Sequence, residues 1–414
     1  FDAELTRHRL LVDPQQHSAD IQLTLSSGTR YRFGEINIGS DWLDQDLLDR
    51  LVTIEPGELY SSDKVQAFQQ SLNESGYFDS AVIRERHDSR RRRVDLDVTP
   101  TPSKRYAIGH GDGLTTDGGP RVSSNLKNRY VNRRGHRFNS NIRYEALLGV
   151  TLDVSYSIPL EHPAKEWFSL LAQVERIETD TSDRTTARAG LRMTKIRPHD
   201  WLETRYLTLK TEEYVIADEP GRAMPLIPGI SWTRIRKDGQ QRINAGEKLH
   251  LELRGAVYDF TEGSPFLQAI ASGKWINSPW ERGRVISRLD LAATLVDDVN
   301  NLAASDRLFT GGDNSIRGYG YQELGAENDF GRVIGGKHLV VASLEYEHYL
   351  KRGWSVAAFV DAGNAFNDSL DVKSGVGLGL RWLSPLGPIK VDLAHPLDDE
   401  RNAVRLVFRM GPEF

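Results

Sequence analysis

The chain has 414 residues and a net charge of −5, with 39% hydrophobic and 27% charged residues. This length allows two or three domains. No run approaches the roughly 18 consecutive apolar residues of a membrane helix, so a helical membrane protein is excluded. A membrane β-barrel is not excluded, because its strands carry apolar residues only at alternate positions. The small net charge gives no reason to expect nucleic acid as a partner, and the absence of cysteine excludes thiol catalysis and cysteine metal sites.

Residues 1–27 resemble the end of the segment that follows them. Phe1-Asp2 precedes a charged stretch and an alternating strand at 19–23, and Phe78-Asp79 precedes a similar stretch and a strand at 94–98. A spacing of roughly 75 residues indicates tandem copies of one small domain. We therefore expect residues 1–27 to be the tail of a preceding, truncated copy of that domain.

Residues 28–104 form the complete copy, for which the pattern predicts strand, helix, helix, strand, strand. Residues 32–38 alternate, and a helix is expected around 41–51. A second helix begins near Ser61, and Gly76 ends it as a left-handed cap. The apolar face of this second helix consists of Val65, Phe68 and Leu72.

This order of elements, with Gly-Tyr-Phe-Asp at 76–79 after the second helix, closely resembles a POTRA domain. The resemblance implies an α+β domain that binds extended polypeptide by adding it to the edge of its sheet. A generic domain with the same element order and no ligand is the alternative.

From residue 105 to residue 414 the chain consists of recurring strands separated by turn signals. Residues 249–257 and 289–295 alternate strictly between apolar and polar side chains, and helical spacing is not sustained. Roughly 16 strand-like runs predict a transmembrane antiparallel β-barrel, since even strand numbers are the rule in bacteria. A large β-sandwich or propeller is the alternative.

The last residues support a barrel. Phe408, Met410 and Phe414 share one parity of a final alternating strand, and Arg405 and Arg409 share the other. A terminal amphipathic strand that closes on an aromatic residue resembles the signature by which outer-membrane barrels are recognised for assembly. An ordinary edge strand is the alternative.

A long loop at 297–336 contains Gly-Gly-Asp-Asn-Ser-Ile-Arg-Gly-Tyr-Gly at 311–320, and a strand further on contains Phe-Val-Asp-Ala-Gly at 359–363. Loops of this length without regular structure are usually functional. The two motifs, in this order after a POTRA-like domain, resemble the hallmark sixth loop and matching strand of the BamA/TamA superfamily. In that superfamily the strand faces the barrel interior and receives the arginine of the loop.

The resemblance implies that Arg317 enters the barrel and pairs with Asp361. A buried arginine must be paired, and a carboxylate can accept two hydrogen bonds from it. We expect this pair to hold the loop inside the barrel, and an exposed arginine in a mobile loop is the alternative. The expected loop lock consists of Gly312, Ile316, Arg317, Gly318, Tyr319, Phe359, Asp361 and Gly363.

The first barrel strand contains several glycines, which are poor strand residues. We expect a weak seam between the first and last strands, whose exposed edge could template an incoming client strand. A permanently closed seam is the alternative. The expected seam residues are Ile108, Gly109, Gly111, Phe408, Met410, Gly411 and Phe414.

Within the superfamily, the segment 382–389 and the terminal Gly-Pro-Glu resemble the TamA-type proteins. This implies a factor in the bacterial outer membrane that inserts or translocates client proteins such as autotransporter-like barrels, with its POTRA domain in the periplasm. Its partners would be unfolded clients, the lipid bilayer and an inner-membrane-anchored, TamB-like protein that spans the periplasm, and not nucleic acid.

Two other functions remain open. A two-partner secretion pore would export one large substrate through the lumen, and a membrane-anchored enzyme would need a fused catalytic domain. No Ser/His/Asp arrangement, nucleophile elbow or metal-type histidine spacing is visible in the sequence. We therefore expect no catalysis, no metal and no cofactor.

Overall fold

The computed structural model divides the chain into two compact units. The small unit comprises residues 1–106, 128–137 and 159–164, and the large unit comprises the remainder. No helix in the part of the chain that the structure describes is long and apolar enough to cross a membrane. The structure describes residues 4–15, 18–26, 30–239, 242–261, 263–385, 387–399 and 403–411.

The small unit contains a hairpin, a three-stranded sheet and two helices. Its elements are β1 Glu4–Asp13, β2 Ser18–Ser26, β3 Arg32–Ile38, α1 Gln45–Leu51, α2 Ser62–Glu74, β4 Phe78–Asp88 and β5 Arg93–Pro102. In the sheet β5 is central, with β3 parallel to it and β4 antiparallel. The order from β3 to β5 is the strand, helix, helix, strand, strand order that the sequence predicts.

Apolar side chains of the helices and the sheet form the core of this unit. Val65, Phe68 and Leu72 are spaced three and four residues apart, so α2 buries one face. Tyr77 follows the cap at Gly76 and is fully buried, and its hydroxyl donates a 2.8 Å hydrogen bond to the carbonyl of Gly135. Burial raises the pKa of Tyr77 to about 12, so this hydroxyl stays protonated. The tyrosine of the POTRA-like motif is thus a packing residue.

Strands β1 and β2 form a separate antiparallel hairpin with an uncovered apolar face. Leu10 lies opposite Ile21, and Val12 lies opposite Ala19. Leu10 is 61% exposed and Ile21 is 70% exposed. In the three-stranded sheet, by contrast, α2 packs against β4. Within residues 4–26 that the structure describes, the hairpin has an apolar face without such a cover.

The remaining strands form one closed barrel. Two of them, β13 and β16, are short continuations of β14 and β15 across breaks at Met224 and Val257, so the barrel has 16 strands, as the sequence predicts. The segments are β6 Tyr106–Thr115, β7 Gly119–Asn128, β8 Arg137–Glu145, β9 Gly149–Pro159, β10 Glu166–Glu178, β11 Ser182–Arg197, β12 Trp201–Ile216, β13 Glu219–Ala223, β14 Pro225–Lys237, β15 Gly246–Ala256, β16 Tyr258–Asp259, β17 Phe266–Trp280, β18 Gly283–Leu295, β19 His338–Lys351, β20 Trp354–Phe366, β21 Lys373–Ser384, β22 Gly387–Pro396 and β23 Arg405–Met410.

The barrel strands place apolar side chains outside and charged side chains inside. In β15, Leu251 and Leu253 are exposed on the outer face, whereas Glu252 and Arg254 are shielded and bonded to other inward side chains. Successive strand residues point to opposite faces, so strict alternation produces a lipid-facing surface and a polar lumen.

Candidate functional site

Residues 297–336, which we call the lumen loop, connect β18 to β19; most of 302–320 is buried, whereas Phe330 and Arg332 further on are exposed. Two short 3-10 turns, Val299–Asn301 and Ala304–Asp306, begin the loop. Isolated bridges join Leu308 to Gly336 and Thr310 to Leu324. The segment that lacks regular strands and helices is therefore ordered by its own hydrogen bonds and by contacts with the barrel wall.

Arg317 is the centre of these wall contacts. Its Nε and Nη2 donate hydrogen bonds of 2.7 and 2.9 Å to the two carboxylate oxygens of Asp361 on β20. The backbone N–H of Arg317 donates to the same carboxylate at 3.1 Å. Arg317 is 4% exposed and Asp361 is fully buried. A bidentate pair of this kind fixes both the position and the plane of the guanidinium group.

Two further carboxylates complete the surroundings of Arg317. Its Nη1 donates to Glu345 on β19 at 2.5 Å and lies 3.4 Å from Asp392 on β22. Arg381 on β21 lies between the same two acids, at 2.9 Å from Glu345 and 2.5 Å from Asp392. The sequence motifs gave no sign of Glu345, Asp392 or Arg381. Each buried charge has an opposite charge beside it, which low-dielectric surroundings require.

Apolar contacts hold the rest of the motif. The guanidinium carbon of Arg317 lies 3.3 Å from the ring centroid of Phe359, a cation–π contact. Ile316 and Tyr319 are buried and pack on Val341 of β19. The hydroxyl of Tyr319 accepts a 3.3 Å hydrogen bond from the backbone of Asp398. The motif is therefore fixed on both sides of the arginine.

The glycines of the expected loop lock are positions of close approach. Gly318 has a φ of +107°, and a Cβ there would lie 2.9 Å from the backbone nitrogen of Pro396. A Cβ on Gly363 would lie 2.0 Å from the carbonyl oxygen of Val340 on the neighbouring strand. Larger residues would push the loop or the strand away. Gly312 lies elsewhere, beside Asp117 in the turn between β6 and β7.

A second wall contact holds the beginning of the lumen loop. Lys210 on β12 is 1% exposed and donates hydrogen bonds to the carboxylate of Asp306 and, at 2.8 Å, to Ser305. Glu212 accepts a 2.9 Å bond from the backbone of Ser305, and Arg254 lies 3.4 Å from Asp306. Lys210 and Asp306 are 96 positions apart in sequence, and neither lies in a recognisable motif. Sequence reasoning missed this contact.

The first and last barrel strands meet at a short seam. Within residues 403–411, Arg409 is the residue of β23 that pairs with β6, opposite Thr115. Next to this pair, the N–H of Thr116 donates to Phe408 at 3.0 Å and the N–H of Phe408 donates to the Thr116 hydroxyl at 2.6 Å. The seam therefore lies at the end of β6.

The expected seam residues are distributed unevenly around it. Phe408 and Met410 lie on β23, and Gly411 follows it. On β6, Ile108, Gly109 and Gly111 precede the paired end and are exposed. The expected residues of β6 therefore lie before the observed pair, in which Thr115 is opposite Arg409. Phe414 lies outside the described residues.

Comparison with known proteins identifies the family. Residues 121–414 match the model of the Omp85 superfamily domain. The chain belongs to the Omp85 superfamily. Residues 31–100 match the model of the POTRA domain, described as a surface antigen variable number repeat. The superfamily predicted from the loop and strand motifs and the POTRA-like domain are thus confirmed.

Individual relatives are distant. The outer membrane protein assembly factor BamA of Nitratidesulfovibrio vulgaris is 21% identical over 432 residues, which cover 97% of this chain and 53% of the relative. The chain therefore spans about half the length of that Omp85 relative.

Solved structures share the fold. BamA from Haemophilus ducreyi lacking POTRA domains 1–3 superimposes with a TM-score of 0.80 at 15% identity, covering 99% of this chain and 90% of that one. CdiB from Acinetobacter baumannii gives a TM-score of 0.59 at 13% identity, covering 97% and 77%. At these identities the likeness concerns the architecture alone.

Proposed function

We propose that this Omp85 protein is an outer-membrane assembly or translocation factor whose β6–β23 seam opens to accept a strand of a client protein. Clients would be unfolded outer-membrane proteins such as autotransporter-like barrels. The lumen loop would close the interior against free diffusion while clients use the seam, and no catalytic step is involved.

The observation that carries this proposal is the short seam. Among the described residues, β23 pairs with β6 only at Arg409 and Thr115, whereas β17 and β18 pair at a dozen positions. Opening the seam therefore breaks few backbone hydrogen bonds, each worth about 1 kcal/mol net. An unpaired strand edge is a template for another strand.

The POTRA domain would lie in the periplasm and deliver the client. The hairpin β1–β2 supports a tandem arrangement, because its apolar face around Leu10 and Ile21 is of the kind that a helix covers, as α2 covers β4 in the complete domain. We assign this hairpin, within residues 1–27, to a second POTRA domain. The domains would dock an inner-membrane-anchored, periplasm-spanning partner of the TamB type, as expected of a TamA-type protein.

A reversible cross-link across the seam tests the proposal. Because cysteine is absent from the chain, Thr115→Cys with Arg409→Cys introduces one pair at opposed positions. The matched control is Ala269→Cys with Ala293→Cys, an opposed pair of β17 and β18 away from the seam. Each variant is reconstituted in liposomes, and assembly of an unfolded client barrel is measured after oxidation and after reduction.

We expect oxidation to abolish assembly in the seam variant, reduction to restore it, and the control pair to remain active in both states. Equal client assembly by the oxidised and the reduced seam variant would refute the proposal that the seam opens as a gate for clients. If neither state assembles clients while the unsubstituted barrel conducts ions, the secretion-pore function takes its place. That function predicts a sharp rise in conductance on deletion of 297–336 and dependence on one substrate.

A further inference from the structure

Reciprocal hydrogen bonds between two aspartates join the lumen loop to the first barrel hairpin. The N–H of Asp117, in the turn between β6 and β7, donates to a carboxylate oxygen of Asp313 at 3.1 Å. The N–H of Asp313 donates to a carboxylate oxygen of Asp117 at 2.5 Å. Arg405 of β23 lies 3.1 Å from the second oxygen of Asp117. One cluster therefore contains a residue from each side of the seam and one from the loop.

Burial and a glycine allow Asp313 and Asp117 to come this close. Asp313 is 1% exposed, and its Oδ1 is buried without a hydrogen-bond partner. Gly312 has a φ of +99°, and a Cβ there would lie 2.5 Å from a carboxylate oxygen of Asp117. Glycine at this position lets the loop backbone reach the turn. The two carboxylates lie close enough for a like-charge repulsion, which burial strengthens and a shared proton would remove.

We propose that Asp117 and Asp313 are positioning residues that form a latch across the seam, tying the β6–β7 hairpin through the lumen loop to the strands that hold Arg317. The inference rests on the proposed opening of this seam. Because Thr115 and Arg409 are the pair of β6 and β23 in the described residues, these side-chain contacts supply much of what holds the seam closed. Opening the gate then requires the loop to release the hairpin.

The charges around the pair give the latch a pH dependence. Asp117 is faced by Asp313 and Tyr321 of the loop and by Arg405 of β23. Asp313 is also faced by Arg409 of β23, and Tyr321 by Glu145 at the end of β8. Burial, and then the charge of Asp313, raise the pKa of Asp117 to about 6. An open latch leaves this carboxyl near its ordinary 3.8. The closed form thus binds the proton more tightly, is most stable below that ordinary value, and weakens as pH rises through about 6.

Amide hydrogen exchange in lipid nanodiscs tests the latch without any client. Asp313→Ala and Asp117→Ala should each speed exchange at the amides of Thr116 and Phe408 by about tenfold or more, because hydrogen bonds are lost. The control is Asp218→Ala, in the turn between β12 and β13, which breaks the exposed ion pair with Arg332 of the lumen loop. It should leave exchange at both amides unchanged. Heat-modifiability on gels checks that each variant is folded.

Asp313→Asn keeps the shape but removes the repulsion. It should preserve protection at about pH 7.5 and abolish the extra protection that the unsubstituted protein gains at about pH 5, after correction for intrinsic exchange. Unchanged exchange at Thr116 and Phe408 in both alanine variants would overturn the latch, as would an equal effect of Asp218→Ala. If exchange rises as expected but client assembly is unaffected, the latch stands and the seam-gate function fails.

Discussion

Replacing Arg317 by alanine removes the charge at the centre of the loop lock. The substitution leaves Asp361, Glu345 and Asp392 in a buried site, with Asp361 losing two side-chain bonds of 2.7 and 2.9 Å. It also removes the contact with Phe359, 3.3 Å from the guanidinium carbon. The backbone bond from residue 317 to Asp361 survives, so the loop keeps part of its attachment.

The expected loss is about 3–5 kcal/mol, the usual effect of removing one partner of a buried ion pair. For large domains each kcal/mol lowers the unfolding temperature by about 2 °C or more, so the loss corresponds to a decrease of about 6–10 °C in the apparent unfolding temperature. Exposed ion pairs contribute at most about 1 kcal/mol. Arg332 lies on the same loop as Arg317 and makes an exposed ion pair with Asp218. Arg332→Ala is therefore the matched control.

The assay is the temperature at which the folded, heat-modifiable form is lost in detergent, combined with limited proteolysis of the loop. Arg317→Ala should unfold earlier and be cut within 297–336, and Arg332→Ala should resemble the unsubstituted protein. Asp361→Asn should fall between them, because the amide still accepts a hydrogen bond but carries no charge. Equal unfolding temperatures and cleavage rates for Arg317→Ala and Arg332→Ala would refute the reasoning from burial.

Three further substitutions test other contacts. Lys210→Met leaves Asp306 buried with Arg254 as its ion-pair partner, and should lower the free energy of unfolding by about 3–5 kcal/mol. We also expect larger fluctuations of ion conductance. Unchanged stability and steady conductance would argue against the contact. Tyr77→Phe removes the hydroxyl bonded to Gly135 and should cost about 1–3 kcal/mol, measured by exchange of the amides in 128–137. Gly318→Ala meets the backbone of Pro396 and should raise protease cleavage of the lumen loop, and resistance equal to that of the parent would count against a tight approach.

The sequence was most informative where a pattern is local. Alternation in β15 and β18 predicts strands with one apolar face, and spacing of three and four in α2 predicts a helix on a core. The breaks at Met224 and Val257 were not predicted. At Met224 the following Pro225 is a signal that the sequence reasoning did not use. Val257 has no such neighbour, and a strand interrupted there keeps the composition of a continuous one.

Contacts between distant strands were harder to foresee. The pairing of Arg317 with Asp361 was expected because each lies in a recognisable motif. Glu345, Asp392 and Lys210 look like any inward polar residue of an alternating strand, and only the closed barrel brings them to the loop. The seam register was missed for a related reason, since strand stagger around a barrel is set by all its strands together.

The partners of Arg317 also come late in the chain. Glu345, Asp361 and Asp392 follow it by 28, 44 and 75 residues. Complete pairing of Arg317 therefore requires β19, β20 and β22 to be in place together, and contacts of long sequence separation form slowly. We therefore expect a barrel in which β19 to β22 have not paired to lack the full attachment of the lumen loop, and so to be leaky and open to protease.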